Sequence, residues 1–148
     1  MDDDAPTITS PFDLFRTNQK AEQDGVKVDY DDFWFYVGRT GGGNKRYTRI
    51  ITERLRPHRR AIQTETIQED LARKLAMETF AEGCVFGWGS KKHGEGVMVG
   101  KDGEGIAYST AAVVEMFNAL PELFQDLKSQ ADSFANYRDG TKDADAKN

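Results

Sequence analysis

Pro121 interrupts the longest regular apolar pattern in the chain. Val113, Phe117, Leu120, Phe124, Leu127, Ala131 and Phe134 recur at alternating spacings of four and three, which is how the seam of a coiled coil reads. A proline inside such a helix removes a backbone donor and clashes with the preceding turn, at a cost of about 3 kcal/mol. The pattern therefore predicts two helices, "AAVVEMFNAL" and "PELFQDLKSQADSFANY", joined by a tight bend and sharing one core. Ser109 or Thr110 serves as N-cap of the first, and Pro121 fits the first turn of the second.

Two more helices precede this pair. Asn44 is a fair N-cap, and Tyr47, Ile50, Ile51 and Leu55 give a helical stripe, so a helix runs from about Asn44 to Glu53 and breaks near Pro57. A longer helix starts at Thr64, or at Thr66 with Glu69 as a capping box. It carries Ile67, Leu71, Leu75 and Phe80 on one face and ends near Gly83 to Gly87. Residues 26–38, "VKVDYDDFWFYVG", have strand character, as one bent strand or two short ones. Residues 83–105 contain eight glycines. Within and just beyond them, Val97 to Val99 and Ile106 to Tyr108 read as a hairpin around Asp102-Gly103, or else as a glycine-rich loop. The expected fold class is mainly α with a minor β part: about four helices, a short N-terminal strand region and a Gly-rich hairpin or loop. The expected organisation is an acidic flexible arm over 1–30, a helical domain over 31–138 and a polar tail over 139–148.

Composition narrows the chemistry. The 148 residues suit one domain. With 30% charged residues and a mean hydropathy of −0.68, the chain holds no apolar run near the roughly 18 residues of a membrane span. The acidic start "MDDDAPTITS" does not read as a signal peptide. Cys84 is the single cysteine, so no intramolecular disulfide forms, as in a reducing cytoplasm. With His58 and His93 it falls short of a zinc site, and no calcium loop motif occurs. Cys84 and His93 lack a third orienting group, and Cys84 lies on an apolar helix face, where cysteine packs as a small hydrophobe. The expectation is no enzyme, no metal and no cofactor.

The stretch "GRTGGGNKR", between strand and helix, imitates a phosphate-binding loop. The lysine of G-x-x-x-x-G-K-[ST] must reach the phosphates. Here Asn44 occupies its place, and Lys45 comes one residue late, turned by about 100° on a helix. The preceding "DFWFYV" is aromatic rather than the aliphatic run of a buried parallel strand. The glycines read as a turn.

Charge is polarised. Residues 1–32 hold nine acids and three bases, and residues 38–60 hold eight bases and one acid. The basic cluster fits phosphates, an acidic partner, or the acidic arm of the same chain. The chain lacks the basic pI typical of nucleic-acid binders, so a nucleic-acid-binding regulator using segment 45–60 ranks below an acidic protein partner.

Three stretches in this order, "GGGNKRYTRIITERLRPHRRAI", "LARKLAMETFAEGCVFGWGS" and "VGKDGEGIAYSTAAVVEMFNALPELFQDLKSQADSFANYR", resemble the tail assembly chaperones of long-tailed bacteriophages and prophages. The resemblance spans about residues 33–138. It implies a non-enzymatic protein of the host bacterial cytoplasm, absent from the finished virion. Such a protein binds the tape measure protein, keeps it soluble and helps recruit tail tube protein, with self-association a further possibility and no membrane contact. The other reading of the same chain is a structural tail or head-completion protein. No binding residue transfers by motif. The partner-binding candidates come from size and position: Trp88, Met116 and Phe124, each large and near a helix end or bend, then Arg54, Arg56 and Arg60. The register of Lys45 generates a first expected outcome. Isothermal titration with ATP or GTP in Mg²⁺ should give no heat of binding, and micromolar affinity for either would refute it.

Overall fold

The computed structural model describes residues 9–133 and 136–138. Ahead of the main body stand α1 (Pro11–Phe15) and α2 (Gln19–Asp24), followed by strands β1 (Val26–Asp29) and β2 (Phe33–Val37). Helix α3 (Lys45–Leu55) passes through a 3-10 turn (Arg56–His58) into α4 (Arg59–Gln63), and α5 (Glu69–Gly83) leads into β3 (Val85–Ser90). Short strands β4 (Gly94–Glu95), β5 (Val97–Val99) and β6 (Gly105–Ala107) precede α6 (Thr110–Ala119) and α7 (Pro121–Asp132). The sheet is antiparallel in the order β1-β2-β3-β4, and β5 and β6 form a separate ribbon that packs beside β3.

This overturns the expected small domain of about four helices, although helix still makes up 53% of the described residues. Helices α3, α5, α6 and α7 fall in the stretches that the sequence assigns to helices, although α5 starts later, at Glu69, and α7 ends at Asp132 rather than running to Tyr137. However, strand accounts for 20% of the described residues and includes a four-stranded sheet, so the fold is α+β. The largest strand missing from the sequence reading is β3, in the stretch expected to close a helix. Glycine normally weakens a strand, and "VFGWGS" carries two. The partner strand explains them. Gly89 pairs with Trp34 and Gly87 with Tyr36, and a Cβ on Gly89 would stand 2.6 Å from the Trp34 indole nitrogen. The glycines of β3 leave room for the aromatic rings of Trp34 and Tyr36 on β2. On the opposite face Phe35 pairs with Trp88, ring centroids 5.8 Å apart, edge to face.

A register shift falls between Tyr36 and Val37, leaving Phe86 as the extra residue of a bulge. Its ring covers Gly38, where a Cβ would come within 2.3 Å of it. Helix α5 ends at Gly83, and Tyr47 of α3 crosses this glycine 2.6 Å from where a Cβ would sit. The helix begins at Glu69 with Gln68 at its N-cap and no side-chain cap bond. Thr64 and Thr66, expected to start it, instead close α4: the Thr64 hydroxyl donates to the Arg60 carbonyl and the Thr66 N–H to that of Ala61, each at 2.8 Å.

The helical side of the core centres on Phe80, with Phe117 and Phe124 at 6.1 and 5.6 Å between ring centroids. As the Pro121 break requires, α6 and α7 share it: Val113, Phe117, Phe124, Leu127 and Ala131 are buried. Phe134 lies outside the described residues. The segment expected to be a flexible arm is partly built in. Ala21 and Val26 join the core, Thr17 bridges to Arg138, and the Asn18 N–H donates to the Tyr137 carbonyl at 2.8 Å. Apolar Val26 and Val28, alternating with Lys27 and Asp29, then pair with β2.

The fit of Trp34 over Gly89 has a measurable consequence. Gly89→Ala should destabilise the fold by about 1–3 kcal/mol through overpacking, seen as a lower denaturation midpoint. In a Trp34→Ala background the same substitution should cost less. Equal cost in both backgrounds would mean that the ring is not what Gly89 accommodates.

Candidate docking groove

The 4-3 apolar pattern predicts Leu120 inside the helical seam. In the structure it is 52% exposed. The proline at the first position of α7 puts Leu120 at the junction, with φ −131° and ψ 74°, so that it ends one helix and caps the next. There the side chain leaves the core and joins the rim of a groove of about 750 Å³.

One wall of this groove is the face of α6 carrying Ala112, Met116 and Ala119, continued by Leu120 and Leu123. The spacing of four and three places the two alanines on either side of Met116, and their short side chains hollow the wall. The other wall is the ribbon, through Met98, Val99 and Ile106, with Phe33 of β2 at one end. Lys101, Glu104 and Glu115 supply the charges at its edge. Met98 is 2% exposed and anchors the ribbon. At the turn of the ribbon Gly103 takes φ 83° and its carbonyl meets a His93 ring nitrogen at 2.9 Å. Backbone bonds tie the ribbon to the sheet, with the Gly96 N–H donating to the Trp88 carbonyl at 2.8 Å.

The sequence-derived candidates separate on this geometry. Met116 lines the groove. Trp88 is 1% exposed, set between Phe35 and Tyr108 with ring centroids 5.8 and 5.9 Å away, and its indole N–H is buried without a hydrogen-bond partner among the described residues. Phe124 is 3% exposed and packs on Phe117 and Phe80. These two belong to the core. Arg54 is paired with Glu78 at 2.8 Å and also with Glu82, joining α3 to α5. Arg56 and Arg60 are exposed around a separate, smaller depression lined by Ile51, Leu55, Arg56, Arg59 and Ile62. The residues missed by sequence reasoning are Leu120, Val99, Ile106 and Phe33. The Ala112-Met116-Ala119 spacing was the available signal for the α6 wall, whereas the ribbon wall depends on a contact remote in sequence.

The glycine loop has its own occupant. The Glu22 carboxylate accepts from the Arg39 guanidinium at 3.0 Å and from the Gly43 N–H at 3.3 Å. Asn44 accepts from the Tyr47 N–H at 3.0 Å and donates to the Arg39 carbonyl at 2.8 Å. The loop thus serves as the start of α3. Cys84 is fully buried, and burial pushes its thiol well above the usual cysteine range, so it stays protonated and unreactive at neutral pH. Burial likewise raises the Tyr47 phenol to about 12. Among the described residues no group of three or more His, Cys, Asp or Glu side chains is placed to hold a metal ion. No helix among them is long and apolar enough to cross a membrane.

The family model for the YdaY prophage protein matches residues 42–148. The chain belongs to this prophage protein family. The matched span contains α6, α7 and the ribbon, hence both long walls of the groove, and leaves out β1, β2 and the segments before them. No curated protein and no solved structure matches the chain.

The burial of the candidates sets a second expectation. Trp88→Ala and Phe124→Ala should each lower stability by about 3–5 kcal/mol. Met116→Ala, at a half-buried position, should cost about 1 kcal/mol. Thermal denaturation of the three variants checks the ranking, and a Met116 cost equal to the other two would place it in the core.

Proposed function

We propose that this prophage protein is a tail assembly chaperone whose groove between α6–α7 and the β5–β6 ribbon holds an amphipathic helix of the tape measure protein. The observation that carries the reading is the open apolar groove of about 750 Å³ ending in exposed Leu120. An amphipathic helix presents apolar residues at three- and four-residue spacing and lays that stripe into such a groove. Long helical clients expose apolar seams that self-associate in water, and covering a seam keeps the client dispersed until assembly. The charges of Lys101, Glu104 and Glu115 stand at the edge of the groove, where they meet the polar flanks of a client helix and favour one orientation. Membership of the prophage family and the resemblance of residues 33–138 to tail assembly chaperones support the same reading. Recruitment of tail tube protein would follow once the client is held.

Co-expression with a tape measure protein of the same prophage tests the proposal. The unaltered chain should co-purify with the client and keep it in the soluble fraction. Leu120→Asp and Met116→Glu should reduce recovered client by about tenfold or more. Leu120→Asp, at an exposed site, should leave the melting temperature within about 2 °C. Retention of client by both variants would overturn the groove as its site. Recovery of the chain as a stoichiometric component of purified virions would replace the chaperone role with a structural one.

A further inference from the structure

Helices α3, α4 and α5 leave a second apolar surface open. Two adjoining depressions of about 320 and 340 Å³ share Ile51, Leu55 and Ile62 and together form one trough. Its α3 wall repeats at four residues through Tyr47, Ile51 and Leu55, a ridge about 12 Å long. Its α5 wall repeats at the same spacing through Ala72 and Ala76, with buried Leu75 between them.

Local features of the chain keep the trough open. Pro57 leads through the 3-10 turn into α4, which is five residues long. Beyond it Glu65 takes φ 56°, and the Thr66 N–H donates to the Ala61 carbonyl at 2.8 Å. Ile62 before this bend and Ile67 after it both line the trough, and Ile62 stays 39% exposed. From the other side the alanines of α5 are too short to close the space.

The charge around the trough has one sign. Among the described residues that line either depression, Arg56 and Arg59 are the only charged ones. Thr52 lines it with Arg56, and Lys45 and Arg49 continue the same stripe of α3, at spacings of four, three and four. All four cations are exposed, and none is ion-paired with a described carboxylate. Arg54, by contrast, is held by Glu78 and Glu82. The acids nearest in sequence, Glu53 and Glu65, line neither depression.

We infer that this trough docks an acidic amphipathic helix of another protein. The apolar stripe of that helix would lie between the four-residue ridges of α3 and α5, as ridges pack into grooves between helices. Its carboxylates would meet Arg56 and Arg59, whose planar guanidinium groups pair with carboxylates through two bonds at once, with Arg49 and Lys45 farther along. A phosphate backbone would use the cations but leave the apolar floor uncovered, so the trough favours the helix over nucleic acid. Helix α1 of a second copy also exposes apolar side chains, but its one acid, Asp13, is held by Ser10 and Arg16, so the occupant comes from outside this chain. The trough shares no lining residue with the groove beside α6 and the ribbon, and docking in it does not depend on what the groove holds.

The experiment uses the full-length chain and two labelled synthetic helical peptides of about 18 residues. Both carry the same leucine stripe, flanked by glutamates in one and by lysines in the other. Fluorescence anisotropy should show the glutamate peptide binding about tenfold or more tightly than the lysine peptide, and less tightly as salt rises from about 0.05 to about 0.5 M. In isoleucine-methyl NMR spectra the glutamate peptide should shift Ile51, Ile62 and Ile67 and leave Ile106, which lines the groove, in place. Arg56→Glu/Arg59→Glu and, separately, Ile62→Ser should each weaken binding by about tenfold or more, with melting temperatures unchanged because the sites are exposed. Ile62→Ser alone decides should the charge reversal disturb folding. Absence of binding, equal affinity for the two peptides, or shifts at Ile106 in place of the trough would overturn the inference. So would a DNA oligonucleotide that displaces the glutamate peptide, which would assign the cations to phosphate, or trough shifts that follow protein concentration without peptide, which would make a second copy the occupant.

Discussion

Strand β2 meets β3 through a complementarity of size that differs on the two faces of the sheet. On the outer face, Trp34 and Tyr36 lie across from Gly89 and Gly87, and Lys27 sets its ammonium 4.4 Å from the Trp34 ring centroid. On the inner face, Phe35 meets Trp88, and Trp88 meets Tyr108, whose hydroxyl donates to the Val85 carbonyl at 2.8 Å. The aromatic face buries large area and the glycine face prevents collision, so the register of the strands has one solution: a slip of one residue would bring Trp88 to the outer side and exchange rings for glycines. Because β3 follows α5 directly and the ribbon packs beside β3, this single pairing positions the helical layer, the sheet and the ribbon together.

The groove is a by-product of two local constraints meeting on that frame. Pro121 ends α6 early and turns Leu120 out of the seam to which its spacing assigns it. Ala112 and Ala119 leave the same face of α6 shallow. The ribbon, held by the Gly96 and Trp88 backbone contact and by the Ser90 hydroxyl donating to the Val97 carbonyl at 2.7 Å, stands opposite without filling the space. An apolar surface left open between two rigid walls costs free energy in water unless something covers it. A chaperone for a helical client would find its binding energy there, while the core beneath, built on Phe80, Phe117 and Phe124, stays closed.

The molecule also separates its charges. Arg54 and Arg39 are paired with acids of the same chain, and the exposed bases of residues 38–60 are Lys45, Arg46 and Arg49 on α3 with Arg56, Arg59 and Arg60 in the 3-10 turn and α4. The acidic excess lies at the other end of the sequence.

Local chemistry determined much of the helical layer from the sequence alone. Asn44 caps α3, Ser109 caps α6 by accepting from the Ala112 N–H at 3.0 Å, Pro57 brings a 3-10 turn, and Pro121 divides the C-terminal pair. Each of these follows from a residue and its neighbours within one helical turn. The sheet did not follow. Glycine in "VFGWGS" looks like a loop until Trp34 and Tyr36, some fifty residues earlier, are placed across from it. The site followed only in part, through Met116. Trp88 and Phe124 look like exposed anchors because they are large and stand near element ends, yet both faces around them are claimed by Phe35, Tyr108, Phe80 and Phe117. Arg54 looks like part of a free basic patch until α5 brings Glu78 and Glu82 beside it. Sequence spacing defines which residues share a face, but whether that face meets core, partner or water depends on elements far away along the chain, and tertiary structure alone decided it.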